Sequence, residues 1–138
     1  MSRIFLFGEF LQVIEFIGAI YTGQGCGKFF VELPWVLQQL KEFMGVVPYF
    51  GTLNMRLTSD GVEQRAYLTS QNGVLIKPKN GYLPGYLYKA KLFDIICYVV
   101  LPDVPNYSMD CLEIIAAENL RNKFNIKDGD VITVLVTV

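Results

Sequence analysis

The chain of 138 residues contains no histidine, and this excludes several kinds of site at once. It rules out Ser-His-Asp and Cys-His catalytic arrangements, zinc sites with histidine ligands and a histidine general base. An excess of positive charge is also lacking, since 12 basic residues stand against 13 acidic ones and the net charge is −1. Proteins that bind nucleic acid by general attraction normally carry a basic excess, so we expect no nucleic-acid partner.

Cysteine is scarce as well. Cys26, Cys97 and Cys111 form an odd set with no CxxC spacing, which gives no sign of a zinc cluster or a disulfide framework. We expect buried, reduced thiols, which fit the reducing conditions of a cytoplasmic protein.

A long uninterrupted apolar run is absent too. The apolar start of the chain, Ile4–Ile20, contains Glu9, Gln12 and Glu15. A membrane span needs about 20 apolar residues with few or no charges, so this segment does not qualify. The sequence therefore predicts a cytoplasmic protein without a membrane partner.

What the chain does have is apolar material for a packed core, with 52% hydrophobic residues and a mean hydropathy of +0.35. Its length fits a single domain over residues 1–138. Thr52–Leu57 alternates apolar and polar residues, which is typical of a half-buried strand, and Ile95–Leu101 is a continuous apolar run, which is typical of a buried one. Further strands are predicted at Phe16–Tyr21, Lys28–Leu33, Tyr86–Leu92, Leu112–Ala116 and Val131–Val138.

Only two segments have a helical pattern, Trp35–Met44 and Ala117–Phe124. The stretch Thr58–Gly81 mixes polar residues, glycines and a proline, and it predicts loops and short strands. Many short strands with two short helices favour a mainly β fold that closes into a barrel.

A glycine-rich loop is the first candidate site, and it consists of Gly23, Gln24, Gly25, Cys26, Gly27 and Lys28. Alternate glycines let a ligand approach the backbone closely, and successive N–H groups can bind phosphate. The loop is not a P-loop, because Phe29 follows Lys28 where Ser or Thr is needed. Its third glycine comes too early for a dinucleotide fingerprint. A glycine-rich hairpin turn is the alternative interpretation.

Thr52 and Asn54 form the second candidate. On a strand they share a face, about 7 Å apart at Cα. Their oxygen atoms can bind a hard cation such as Mg²⁺, which takes one or two protein ligands, although a carboxylate is the usual one. The alternative is the ordinary polar face of a strand that follows the Pro48–Gly51 turn.

Three acidic or polar segments near the end of the chain complete the candidates. Glu113 lies in an apolar run, where it either accepts hydrogen bonds from a ligand or faces outward. The last helix opens with Glu118, Asn119, Leu120 and Arg121, whose N–H groups and guanidinium suit phosphate; a solvated helix face is the alternative. Asp128-Gly129-Asp130 predicts a turn and not a metal site.

These segments, in this order, resemble the archaeal CTP-dependent riboflavin kinase family. The matching elements are Gly23–Leu33, Gly45–Pro48, Gly51–Asn54, Leu112–Ala116, Asn119–Arg121 and Lys127–Asp130. Each motif is weak alone, but the ordered set is more specific. The resemblance implies a six-stranded cradle-loop (RIFT-like) barrel. It also implies transfer of the γ-phosphate of CTP to the 5′-hydroxyl of riboflavin, which gives FMN and CDP.

The resemblance implies a role for each candidate residue. It assigns the glycine loop with Phe29, and the segment Glu118–Arg121, to the nucleotide. It assigns Thr52 and Asn54 to Mg²⁺. It assigns Asn106 and Glu113 to the flavin, and Glu113 is also the candidate catalytic residue. Phosphoryl transfer suits a chain without histidine, because it depends on positioning and charge neutralisation.

Two positions depart from the family pattern. Cys26 stands where the family usually has Glu, and Asn106 stands before Tyr107 where a hydroxyl residue is usual. These departures keep a non-catalytic nucleotide- or flavin-binding barrel open as an alternative. A DNA-binding regulator built on a related barrel is a second alternative, against which the neutral charge argues. We expect the protein to act as a monomer.

Overall fold

The computed structural model describes residues 2–7, 11–23, 31–49, 51–71, 73–79, 81, 84–103 and 108–138. Eight β-strands and three α-helices have both of their ends within these residues. The strands are β1 (Ser2–Phe7), β2 (Leu11–Tyr21), β3 (Leu53–Leu57), β4 (Val74–Ile76), β5 (Gly85–Leu92), β6 (Ile95–Pro102), β7 (Cys111–Ile115) and β8 (Val131–Thr137). The helices are α1 (Pro34–Met44), α2 (Ser59–Thr69) and α3 (Leu120–Phe124).

Six of the strands close into an antiparallel barrel in the order β2-β3-β7-β6-β5-β8, with β8 returning to β2. The two other strands lie outside this ring. β1 pairs with the first half of β2, and β4 pairs with the start of β5. The prediction of a mainly β, six-stranded barrel is confirmed.

Alternation along the strands fills the inside of the barrel. In β8, Ile132, Val134 and Val136 are buried while Val131, Thr133 and Leu135 are exposed, so one face of the strand packs inward. All six ring strands contribute side chains to this interior cluster. Burial of apolar surface of this kind is the main stabilising term in folding.

A second apolar cluster lies on the outer face of the barrel wall, beneath α1. Adjacent strand residues point to opposite faces, and Val99 and Leu101 belong to the interior while Val100 belongs to this outer cluster. The outer cover explains why β6 is apolar on both faces. The buried members of the outer cluster are Val31, Val36, Leu40, Ile76, Leu87, Val100 and Ile115.

Helix α1 agrees with its prediction, and its boundaries have local causes. Pro34 occupies the first turn, where its missing N–H costs nothing. Gly45 ends the helix in a left-handed conformation with φ 77°, and its N–H donates to Lys41 O at 2.9 Å. In the described residues the longest helices have 11 residues, and none is long and apolar enough to cross a membrane.

Two local predictions are wrong. The stretch Thr58–Gly81 contains α2, which raises the number of helices in the described residues from two to three. Only Gly61, Arg65 and Leu68 of this helix are buried, so its sequence carries little apolar periodicity. The predicted strand Lys28–Leu33 is contradicted where it is described, because Val31 and Glu32 are helical just before the proline that opens α1.

Candidate functional site

A cavity of about 290 Å³ opens at one end of the barrel, where β2 ends, β3 and α3 begin and β7 ends. The antiparallel register explains this convergence, because Tyr21 pairs with Asn54 and Leu53 pairs with Ile114. Segments that are far apart in the sequence therefore meet at one rim. The lining residues are Tyr21, Thr22, Gly23, Tyr49, Gly51, Thr52, Leu53, Asn54, Ile114, Ala116, Glu118, Asn119, Leu120 and Arg121.

The cavity brings together seven of the residues that the sequence singled out, namely Gly23, Thr52, Asn54, Glu118, Asn119, Leu120 and Arg121. Glu113 does not line it and lies behind the rim. The other predicted positions, Gln24, Gly25, Cys26, Gly27, Lys28, Phe29 and Asn106, lie outside the described residues.

Thr52 and Asn54 lie on the outer face of β3 and its lead-in, because Leu53 and Met55 pack into the barrel interior. Thr52 Oγ1 donates a hydrogen bond to Asn54 Oδ1 at 3.0 Å, and Asn54 is only 5% exposed. Gly51 precedes the pair with φ 144°, a backbone conformation that residues other than glycine rarely adopt. The turn therefore fixes where this polar pair enters the cavity.

The spacing of this pair fits a magnesium ion. Octahedral Mg²⁺ has bonds of 2.0–2.1 Å, which puts two neighbouring ligand atoms roughly 3.0 Å apart. The two side-chain oxygens are 3.0 Å apart. Within the described ranges no group of three or more Cys, Asp or Glu residues is placed to hold a metal. Two neutral ligands leave the ion's charge to be balanced by a substrate such as a nucleotide phosphate.

Arg121 is held at the other side of the cavity by Asp128. Its Nη2 atom donates to Asp128 Oδ1 at 2.7 Å, and Thr22 Oγ1 donates to Asp128 Oδ2 at 2.9 Å. The hydrogen bond from Arg121, followed by that from Thr22, lowers the pKa of the Asp128 carboxyl. The predicted turn Asp128–Asp130 is confirmed, with Gly129 at φ 92°. The contact to Arg121 had no sequence signal, because a DG pair indicates only a turn.

Glu113 is fully buried in the middle of β7. Leu112 and Ile114 face the barrel interior, so the Glu113 side chain points to the outer face. It lies directly opposite Asn54 on one neighbouring strand and opposite Val100 on the other. The Glu113 side chain therefore faces outward, which is one of the two alternatives expected from the sequence. It is, however, buried and not exposed to solvent.

Gly23 follows β2 at a point where there is no room for a side chain. A Cβ atom there would lie 2.7 Å from Cε2 of Tyr21 and 3.2 Å from Nδ2 of Asn54. The first glycine of the loop is therefore required by close approach to the cavity wall. This is a packing reason that the spacing of the glycines alone does not reveal.

A family comparison adds to this geometry. The family model described as "Domain of unknown function DUF120", with the short name CTP-dep_RFKase, matches residues 20–136. The chain belongs to the archaeal CTP-dependent riboflavin kinase family. The matched range includes every described residue that lines the cavity.

Curated relatives in this family are named riboflavin kinase. The protein of Pyrobaculum aerophilum is 34% identical over 125 residues, which are 88% of this chain and 60% of the relative. The protein of Methanospirillum hungatei is 29% identical over 137 residues, which are 96% of this chain and 62% of the relative. That of Methanosarcina acetivorans is 34% identical over 133 residues, with 94% and 55% covered. The chain thus spans about 55–62% of the length of these relatives.

In this riboflavin kinase family member, two tyrosines that sequence reasoning missed form part of the cavity wall. Tyr49 accepts a hydrogen bond from Asn119 Nδ2 at 3.0 Å, and its backbone N–H donates to Ala116 O at 2.8 Å. Tyr21 has the Arg56 guanidinium 4.3 Å from its ring centre, and burial raises its pKa. The only available signals were an aromatic residue at a strand end and one in the Pro48–Gly51 turn.

Proposed function

We propose that this chain is a Mg²⁺-dependent kinase that transfers the γ-phosphate of CTP to the 5′-hydroxyl of riboflavin, producing FMN and CDP. The observation that carries the proposal is the single cavity shared by Gly23, the pair Thr52 and Asn54, and Glu118–Arg121. Three distant segments with phosphate- or cation-binding chemistry meet at this cavity. The family model's short name and the names of the curated relatives support the same reaction.

The nucleotide is proposed to lie against the start of the glycine loop and Arg121, which line the cavity side by side. Thr22, Gly23 and Arg121 all line the cavity, and Arg121 Nη2 donates to Thr22 Oγ1 at 3.4 Å. A guanidinium presents several N–H donors in a fixed plane and can bind phosphate through two of them. Phosphoryl transfer needs mainly such positioning together with neutralisation of charge, and both are available from these groups.

Thr52 and Asn54 are proposed to hold Mg²⁺ through Oγ1 and Oδ1. When bound, Mg²⁺ supplies neutralisation of the charge on the nucleotide phosphates. The burial of Asn54 and the hydrogen bond from Thr52 keep both oxygens in place before any ligand arrives. Preorganised polar groups of this kind avoid the cost of rearranging during the reaction.

Riboflavin is proposed to bind on the far side of Asn54, with Glu113 accepting hydrogen bonds from its polar edge. Glu113 lies between Asn54 and Val100 in register, and Val100 belongs to the apolar cluster beneath α1. A flavin has a polar edge and an apolar ring face, and this boundary offers groups that match both. Asn106 remains a predicted second contact.

The test is a comparison of CTP, ATP, GTP and UTP as phosphate donors for riboflavin with Mg²⁺, with FMN measured by chromatography. We expect FMN to form with CTP faster than with the other three nucleotides. Faster turnover with another nucleotide would overturn the CTP assignment alone. Binding of riboflavin and CTP without any FMN would instead support the non-catalytic barrel.

A further inference from the structure

The turn Lys127–Asp130 contacts residues that line the cavity, although its sequence does not indicate such a contact. The Asp128 carboxylate accepts hydrogen bonds from Thr22 Oγ1 at 3.1 and 2.9 Å and from Arg121 Nη2 at 2.7 Å. Thr22 lies 106 positions from Asp128 in the chain and begins the segment that leads into the glycine loop. One side chain therefore contacts two of the segments that line the cavity.

The turn that carries Asp128 is itself fixed to the end of β2. Gly129 N donates to Ile20 O at 2.7 Å, and Ile20 N donates to Asp130 O at 2.8 Å. Lys127 N donates to Asp130 Oδ2 at 2.8 Å, which closes the turn. An isolated ion pair at a surface contributes little, because both side chains must be ordered to form it. Here one partner is already held by a hydrogen-bonded turn.

Arg121 uses a single nitrogen for these contacts. Among the described residues, its side-chain hydrogen bonds all come from Nη2, to Asp128 Oδ1, Tyr21 O and Thr22 Oγ1. Within the part of the chain that the structure describes, Nε and Nη1 make no hydrogen bond and can serve a ligand, and the side chain is 32% exposed on the cavity wall. Because the Nη2 atom is held, the plane of the Arg121 guanidinium is defined, and its remaining N–H donors have a fixed direction.

We propose that Asp128 is a positioning residue for the nucleotide: it orients the Arg121 fork and the Thr22 segment so that they are ready to bind the phosphates. This inference rests on the proposed function, because that function assigns Arg121 to the nucleotide. The opposing effect is repulsion between the Asp128 carboxylate and the phosphates. That repulsion is reduced because Arg121 pairs with Asp128 and because the carboxylate is 54% exposed and screened by solvent.

The test is CTP binding by calorimetry with Mg²⁺, using Asp128→Ala, Arg121→Ala and the double variant. We expect Asp128→Ala to weaken CTP binding about tenfold, as the loss of a charge-assisted hydrogen bond would. If Asp128 acts through Arg121, the double variant should bind within about twofold of Arg121→Ala, since residues of one network are not additive. Asp94→Ala is the matched control, because Asp94 is an exposed turn residue outside the cavity lining.

Steady-state kinetics provide a second readout that a general structural defect would not reproduce. Asp128→Ala should raise the KM for CTP and leave the KM for riboflavin unchanged. Asp128→Asn keeps the shape of the side chain and one acceptor oxygen, so it should recover part of the lost affinity. It also keeps the test valid if Asp128→Ala fails to fold.

The proposal is overturned if Asp128→Ala, or Asp128→Asn where the alanine variant does not fold, binds CTP as well as or better than the unaltered chain. It is also overturned if the losses from Asp128→Ala and Arg121→Ala multiply in the double variant. In either case the proposed kinase function stands as long as the unaltered chain makes FMN. An unaltered chain that binds no nucleotide overturns the function and this proposal together.

Discussion

The outer face of the barrel wall is polar on one side of Glu113 and apolar on the other. The register places Tyr21, Asn54, Glu113, Val100 and Leu87 in one row across five neighbouring strands. Val100 and Leu87 are sealed beneath α1, whereas Tyr21 and Asn54 line the open cavity. One sheet surface therefore has two environments, a packed apolar cluster on one side and an open polar cavity on the other.

The largest expected effect is on catalysis, in the polar half. Thr52→Ala or Asn54→Ala should each reduce FMN formation by about 10²–10³-fold, as removal of one preorganised polar group does. Thermal unfolding should change little, because neither side chain packs in the interior cluster. Thr133→Ala and Asn122→Ala are matched controls outside the cavity, at exposed positions of β8 and α3. Near-normal turnover in both test variants would remove the metal assignment.

The apolar half should behave in the opposite way. Leu40→Ala removes a fully buried side chain from the cluster beneath α1, and we expect unfolding to become easier by about 2–4 kcal/mol. The rate per folded molecule should stay close to that of the unaltered chain. Leu135→Ala, at an exposed position on β8, should cost less than about 1 kcal/mol in denaturant titrations. Equal losses of unfolding free energy in Leu40→Ala and Leu135→Ala would contradict the division of the barrel wall into a packed half and a cavity half.

Glu113 stands at the boundary and should affect riboflavin more than the nucleotide. Glu113→Gln keeps the shape but replaces one acceptor oxygen by an NH2 donor, so we expect riboflavin binding to weaken about tenfold, since a donor of the ligand then loses its acceptor. Fluorescence titration with riboflavin measures this directly. Glu63→Gln, on the exposed side of α2, is the control. Unchanged riboflavin affinity would show that Glu113 belongs to the packed half alone.

A further prediction concerns the barrel interior, which lies behind both halves of the wall. Burial raises the pKa of the Cys97 thiol from 9.0 to about 12. Above pH 9 the unfolded chain releases this proton while the folded chain keeps it. The stability that the proton contributes is therefore complete below pH 9 and is lost as pH rises toward 12. Cys97→Ala should lose stability less steeply than the unaltered chain between pH 9 and 11 in thermal melts. Identical slopes would contradict burial of the thiol.

Sequence patterns predicted the elements whose causes are local. Strict alternation predicted β3, and apolar residues at helical spacing, followed by Gly45, predicted α1. The sequence did not predict helix α2, because this helix packs on the barrel through few apolar residues and through Arg65. Arg65 Nε donates to Cys111 O at 3.0 Å. That contact joins residues 46 positions apart, so no local pattern could indicate it.

The candidate site was predictable in its residue types but not in its arrangement. The chemistry of Thr52, Asn54 and Arg121 was visible in the sequence, because oxygen ligands and a guanidinium suit cations and phosphates. The sequence did not show that Glu113 would be covered, since alternation along β7 indicates the face to which a side chain points and not what lies over that face. The contact from Asp128 to Thr22 likewise exists only after β2 and the turn have paired.

The central claim is that Thr52 and Asn54 hold a divalent cation beside a bound nucleotide. The most direct measurement is a crystal structure with Mn²⁺ in place of Mg²⁺ and a non-hydrolysable CTP analogue, examined by anomalous diffraction. We predict one strong anomalous peak within bonding distance of Thr52 Oγ1 and Asn54 Oδ1, with the analogue's phosphates beside Arg121. An ordered nucleotide whose cation lies away from both oxygens would contradict the assignment of the metal to Thr52 and Asn54.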